Sequence, residues 1–374
     1  MKRNIRNIHQ WLGLFSGLLV FVIAITGAIY TFQEEILNLT ESHRFVPIKN
    51  LPLLKPSQLE TIAKAKLPGK TLHSIEYKER GCAAIAIFYH YEPTYYYKMY
   101  LDPYAGEVLH IQNMDAGFFQ WILKGHMYLW LPPDIGRIVV LISTLIFTFM
   151  IMTGLFLWLP KRMKGVVQRM TFQWKETTKW KRKNWDLHAI VGFYGLIFSL
   201  IFAITGLVWV FPNFADFYYK VIGGQKSLQY TDAVSERETK DSRLINPMDS
   251  LFEQHKNAIF DYKSFEIHPP ETDSSSVLLV TNPCSGTYWK SDYIFYNQYN
   301  LAELEVGHIW DRFAKAGVAD KILRLNYDVH VGAALGLPGK IIAFIASLLI
   351  ASLPITGFLI FYGKKIRKKA ANKI

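Results

Sequence analysis

The sequence predicts a membrane α-helical protein, with four transmembrane helices from a tandem duplication and two small α+β domains outside the bilayer. Three observations carry this: four long apolar blocks, a lopsided distribution of charge, and a repeat at an offset of 179 residues.

The apolar blocks run from about Gln10 to Phe32, Ile135 to Leu159, Leu187 to Phe211 and Lys340 to Tyr362. Each has about 20 residues almost free of charge, enough at ~1.5 Å per residue to cross a ~30 Å hydrocarbon layer. Lipid offers the backbone no hydrogen-bond partner, so the spans are expected to be helices. No small-x-small cleavage pattern follows the first block, and the block recurs inside the chain, so it reads as a retained span.

A net charge of +12 on 374 residues suggests nucleic acid until its distribution is inspected. Eighteen of the 42 Lys and Arg residues lie before His9, in Pro160–Asn184 and in Gly363–Ile374, where the only acid is Glu176. The long connections are mildly acidic. This is the positive-inside asymmetry, not a nucleic-acid surface. It places both termini and the middle loop in the cytoplasm and the two long connections outside. The division is 1–33 (first span), 34–134 (external), 135–160 (second span) and 161–186 (basic loop), then 187–211 (third span), 212–338 (external), 339–362 (fourth span) and 363–374 (basic tail). The two cysteines, Cys82 and Cys284, fall one in each external segment. That is no metal or disulfide framework, and a single bridge or two free thiols both stand.

"IHQWLGLFSGLLVFVIAITGAIYTF" aligns with "LHAIVGFYGLIFSLIFAITGLVWVF", setting His9 on His188 and Thr26-Gly27 on Thr205-Gly206. The second spans match more loosely, His126 and Thr153-Gly154 against His330 and Thr356-Gly357. The external segments repeat as well. "SQLE" at Ser57 reads as a capping-box helix start, followed by alternating runs "TLHSIEY", "AAIAIFYHY", "YYYKMYLD" and "EVLHI", with "DPYAG" as a turn. The second segment offers a helix near Asp249–Lys256 and runs near "YKSFEIH", "SSVLLVT", "DYIFYNQY" and "AELEV". A helix on an antiparallel sheet is expected in each.

Ionisable residues at membrane helices are functional candidates. Gly13, Gly17 and Gly27 lie four, eight and 18 residues after His9, on roughly one helical face. His188 heads the same pattern with Gly192, Gly195 and Gly206. Two readings of such a strip stand: close helix approach, or room for a planar macrocycle whose iron takes the histidine. Depth favours the second. His9 and His188 fall at the cytoplasmic edge and His126 and His330 at the external edge, so each level holds one histidine per repeat, as bis-histidine haem ligation requires. Zinc would want three or four ligands at one level, and snorkelling single histidines would not repeat. Arg137 and Lys340 occupy matching positions inside the second spans, candidates for haem propionates or for lipid phosphates. The other histidines read as surface or sheet residues, with His308 a minor candidate near the fourth span. Trp121, Trp130, Trp158, Trp185, Trp209 and Trp310 read as an interfacial belt.

The tandem "H…WLGL…ITGAI" openings, the "GEVL" strand, "LPPDIGR" and "TGLFLWLPKR" resemble the PepSY-associated transmembrane family over nearly the whole chain. The resemblance implies PepSY-like periplasmic domains and His9, His126, His188 and His330 as axial ligands of two haem b groups. It also implies an oxidoreductase related to ferric-siderophore reductases. No Gly-rich nucleotide fingerprint is present, so the electron donor is expected to be a quinol or a separate cytoplasmic reductase. The expected partners are the lipid bilayer and a ferric-siderophore substrate, with no nucleic acid. The residues themselves leave the catalytic groups unknown. Two rivals remain: a PepSY-type binding or regulatory protein without redox activity, and a transporter, which the scarcity of acidic residues in the spans disfavours.

Overall fold

In the computed structural model, residues 1–160, 165–237 and 246–371 are described. The start of the basic loop at 161–164 and the end of the basic tail lie outside them. The chain forms two compact units. One comprises Met1–Gln33, Trp121–Ala215 and Asp328–Ile374; the other comprises Glu34–Gln120 and Asp216–Tyr327.

The first unit is helical. Its long elements are α1 (Lys2–Tyr30), α5 (Pro133–Trp158), the pair α7 (Trp180–Tyr194) and α8 (Leu196–Val210), and α13 (Gly336–Ala371). α1, α5 and the Ala333–Gly363 stretch are each long and apolar enough to cross a membrane alone; α7 and α8 qualify only as a pair. Hydroxyls in these helices return their proton to the preceding turn, as in Ser16 to Leu12 O (2.9 Å) and Ser143 to Val139 O (2.7 Å). Such bonds satisfy the polar groups in an apolar setting. α1 packs on α5 and α13, α13 also on α7, and α5 also on α8. Each repeat's leading helix thus contacts the trailing helices of both repeats.

The third span departs from expectation. In place of one straight helix over 187–211, α7 and α8 meet at Gly195 with a bend of 57°. A Cβ at Gly195 would lie 3.0 Å from Val191 O, so glycine lets the backbone close up at the break. The strip expected from His188 through Gly206 is consequently not a single straight face. His126 and His330 sit on short helices of their own, α4 (Phe118–Tyr128) and α12 (Asn326–His330), ahead of the spans they precede.

The second unit is built on one sheet, not two. Eight strands run in the order β4-β3-β2-β1-β5-β6-β7-β8, all neighbours antiparallel. The first segment supplies β1 (Leu72–Lys78), β2 (Ala84–His90), β3 (Tyr95–Leu101) and β4 (Val108–Asn113). The second supplies β5 (Ser264–His268), β6 (Ser276–Asn282), β7 (Asp292–Asn297) and β8 (Glu303–Leu304). The two predicted external domains are therefore joined at a β1–β5 seam, where Ile75 faces Ile267 and Glu76 faces Glu266. Alternation puts Ile75, Tyr77, Phe265 and Ile267 on one face, covered by α3 (Pro56–Lys66) and α10 (Pro247–His255) through Leu59, Ala63, Leu251 and Phe252. Each fully buried large side chain there contributes about 2 kcal/mol.

α3 begins at Pro56, earlier than the capping-box reading. Gln58 accepts from the Lys55 N–H (2.9 Å), while Ser57 donates from N and Oγ to the Asp249 carboxylate (2.9 and 2.5 Å), tying the two repeats' helices together. Cys82 and Cys284 are both free. They flank β2 and β6 with β1 and β5 between, roughly 14 Å at ~4.8 Å per strand, beyond the ~7 Å reach of a disulfide.

Candidate functional site

The four histidines expected from the repeat meet in two couples inside the helical unit. The His9 and His188 ring centres are 6.5 Å apart, those of His126 and His330 6.1 Å. Along α1, His9 belongs to one couple while Thr26-Gly27 touches the other. That places the couples roughly 25 Å apart at 1.5 Å per residue.

The Thr-Gly pairs hold these rings. His9 Nδ1 lies 2.9 Å from Thr153 Oγ1, His188 Nδ1 2.9 Å from Thr356 Oγ1, and His330 Nδ1 2.7 Å from Thr205 Oγ1. His126 Nδ1 lies 2.9 Å from Ile23 O and 3.4 Å from Thr26 Oγ1. The hydroxyl proton of each threonine is spent on its own helix: Thr153 donates to Met150 O (3.0 Å), Thr356 to Ser352 O (3.0 Å) and Thr205 to Ile201 O (2.6 Å). Toward the imidazole the oxygen can then only accept, as can the Ile23 carbonyl. The network therefore assigns the proton of all four rings to Nδ1 and the lone pair to Nε2, which makes no hydrogen bond with any described residue.

The glycines act on the same rings. A Cβ at Gly27 would lie 3.0 Å from His126 Cε1, at Gly154 3.3 Å from His9 Cε1, at Gly206 3.5 Å from His330 Cε1 and at Gly357 3.3 Å from His188 Cε1. At Gly27, Gly154 and Gly357 a Cβ would crowd the ring, so glycine lets the imidazole lie against a helix backbone while the adjacent threonine holds it; at Gly206 a Cβ would make only ordinary contact with His330. Gly13 and Gly192 are placed otherwise: their Cβ positions face Met150 Cε at 2.8 Å and Leu353 Cδ2 at 3.7 Å. Gly17 faces Pro354 Cβ at 3.3 Å. Gly13 and Gly17 serve close helix approach, while at Gly192 a Cβ would make only ordinary contact.

Sequence reasoning used the Thr-Gly pairs to align the repeats and missed that the threonines orient the histidines; the recurrence of Thr before Gly in all four spans was the available signal. It also read Trp158 as part of an interfacial belt. Trp158 stacks on Phe193 at 4.0 Å, one turn beyond Gly154, and its buried indole N–H has no hydrogen-bond partner among the described residues. Asn184, one turn before His188, donates to Thr356 O (3.0 Å). Arg137 lies over the Tyr128 ring at 5.6 Å, and Lys340 is buried near the start of α13. His308 belongs to the sheet unit, where Nε2 donates to Thr231 O (3.0 Å) and Nδ1 accepts from the Trp310 N–H (3.1 Å), so neither nitrogen is spare. Among the described residues no group of three or more His, Cys, Asp or Glu converges as a metal site.

Apolar helices that carry paired, oriented histidines define a multi-pass membrane protein. The chain matches the family described as PepSY-associated TM region over residues 6–364, and it belongs to that family. No curated protein matches it.

Proposed function

We propose that the chain is a two-haem electron carrier of a bacterial inner membrane that reduces a ferric siderophore on the periplasmic side. One observation carries the reading: four imidazoles in two couples, each ring anchored through Nδ1 and offering an Nε2 lone pair. Ring centres 6.5 and 6.1 Å apart leave about the space that a metal ion taken between two imidazole nitrogens would need at about 2 Å per bond. The residues thus fit haem b: His9 and His188 would hold one group and His126 and His330 the other. Haem iron so held supplies one-electron redox chemistry, and Fe(II) binds far more weakly than Fe(III) to hard-oxygen chelators, so reduction releases the metal.

The chain's own part is positional. Thr26, Thr153, Thr205 and Thr356, with the Ile23 carbonyl, fix the tautomer and raise the basicity of the ligating nitrogen. Gly27, Gly154 and Gly357 leave the rings room. The Trp158 indole N–H, without a partner among the described residues, would serve as a donor to a propionate near the His9–His188 couple, and Arg137 and Lys340 are the cationic candidates near the other. The electron donor is a quinol or a separate cytoplasmic reductase. The positive-inside asymmetry supports cytoplasmic termini and a periplasmic sheet unit.

The visible spectrum of the full chain, purified from haem-replete cells, tests this. A Soret band with sharp α and β bands upon dithionite addition is expected, with about two haems per chain by pyridine haemochrome. Colourless protein would refute it and favour the redox-free binding module.

A further inference from the structure

The face of the sheet opposite α3 and α10 opens into a cleft of about 840 Å³, a volume typical of small-molecule sites. Its floor is the β1–β5 seam. There Ser264 Oγ donates to Glu76 (2.7 Å) and Ser74 Oγ to Glu266 (2.5 Å), so a serine from the opposite repeat steadies each carboxylate. Lys98 of β3 also lines the cleft. Its ammonium makes no hydrogen bond or ion pair with any described residue, and lies 6.0 Å from the centre of the Tyr96 ring. Burial pulls the Lys98 pKa down, but Tyr96, Glu76, Tyr100 and Glu266 outweigh it and hold the pKa above the ordinary value. The group is charged and deeply set, with its donors unspent.

Three demands on a ligand follow. Lys98 requires oxygen acceptors. Tyrosines from both repeats, such as Tyr89, Tyr96 and Tyr293, offer ring faces with polar tips. Six carboxylates against four Lys and Arg side chains line the cleft among the described residues, a negative balance that repels polyanions.

We propose that this cleft binds an oxygen-rich, chelate-sized organic ligand of neutral or positive net charge, anchored by Lys98 and selected for charge by Glu76 and Glu266. If the proposed function holds, that ligand is a ferric chelate of the hydroxamate kind and not of the tricatecholate kind. Only this identity rests on that reading; binding does not.

Gallium(III) chelates separate the two, because gallium is not reduced under these conditions. Isothermal titration of the full chain in nanodiscs would compare a cationic trihydroxamate, a neutral trihydroxamate and a trianionic tricatecholate. The trihydroxamates are expected to bind at least about tenfold more tightly than the tricatecholate. Lys98→Met should weaken both about tenfold, and Glu76→Gln with Glu266→Gln should bring the tricatecholate within about threefold of them. Equal binding of all three, no binding of any, or an unchanged Lys98→Met variant of wild-type melting temperature would overturn the proposal. If the paired Gln variant fails to fold, Lys98→Met and the wild-type charge series still decide. Gallium chelates that bind while their iron counterparts are never reduced would remove the proposed function and leave the cleft assignment standing.

Discussion

Thr153 Oγ1 stands 2.9 Å from His9 Nδ1, and the same threonine returns its own proton to Met150 O at 3.0 Å. The relationship is repeated between Thr356 and His188 at 2.9 Å. Each Thr-Gly pair is thus a socket: hydroxyl oxygen for the ring nitrogen, bare backbone for the ring edge.

Thr153→Val keeps the shape of the socket and removes its acceptor. The His9 tautomer is then no longer fixed, and haem affinity at the His9–His188 couple should fall roughly tenfold, the usual effect of losing an outer hydrogen bond to a ligating histidine. Thr153→Ser should restore it. Haem retention during dialysis against apomyoglobin, with the reduced spectrum, reads both. Equal behaviour of the Val and Ser variants would mean that the hydroxyl is idle.

Gly27→Leu tests the other half of a socket. A Cβ there already sits 3.0 Å from His126 Cε1, and a branched side chain has no space without displacing the imidazole. The variant should lose about half its haem, the share of one couple in two. His188→Ala should lose the other half, and the two losses should add. Full haem in Gly27→Leu would show that the His126–His330 couple is not a ligand pair.

Much of this was legible because it repeats. The 179-residue offset between His9 and His188, and between Thr26 and Thr205, exposed two levels of paired histidines without any knowledge of packing. What stayed hidden depends on long-range contact. Glycine is silent about what lies opposite it, so Gly13, against Met150, and Gly27, against His126, looked alike in sequence. The bend at Gly195 sits inside a uniformly apolar run, where hydropathy has no contrast to mark it. The β1–β5 pairing joins strands nearly 190 residues apart, and alternation identifies a strand but not its partner.

The sheet unit should lose stability in acid through its buried histidines. Burial pushes His268 down to about 3, with the neighbouring His73 adding to the effect, and burial also lowers His43 and His308. A histidine whose folded pKa lies below its unfolded value near 6.5 binds more protons when unfolded. Stability is therefore full above about pH 6.5 and falls as the pH drops from there toward 3. Urea midpoints at pH 7.5 and pH 5 should differ, and His268→Gln should narrow the difference. An unaltered slope in the variant would assign the acid sensitivity to other groups.

The seam predicts that the two repeats of the sheet unit unfold together. Ile267 is fully buried, opposite the fully buried Ile75 and against the α3–α10 layer. Ile267→Ala should cost about 2–5 kcal/mol through lost burial and the cavity left behind. If β1 and β5 join the halves into one cooperative unit, the loss is shared. Amide exchange should then accelerate in β2, which belongs to the first repeat, as much as in β6, which belongs to the second. Two independent domains would confine the change to β5, β6 and their neighbours, leaving Ala84–His90 protected. Hydrogen exchange read by mass spectrometry on peptides covering both strands separates the outcomes, since each strand reports its own opening free energy.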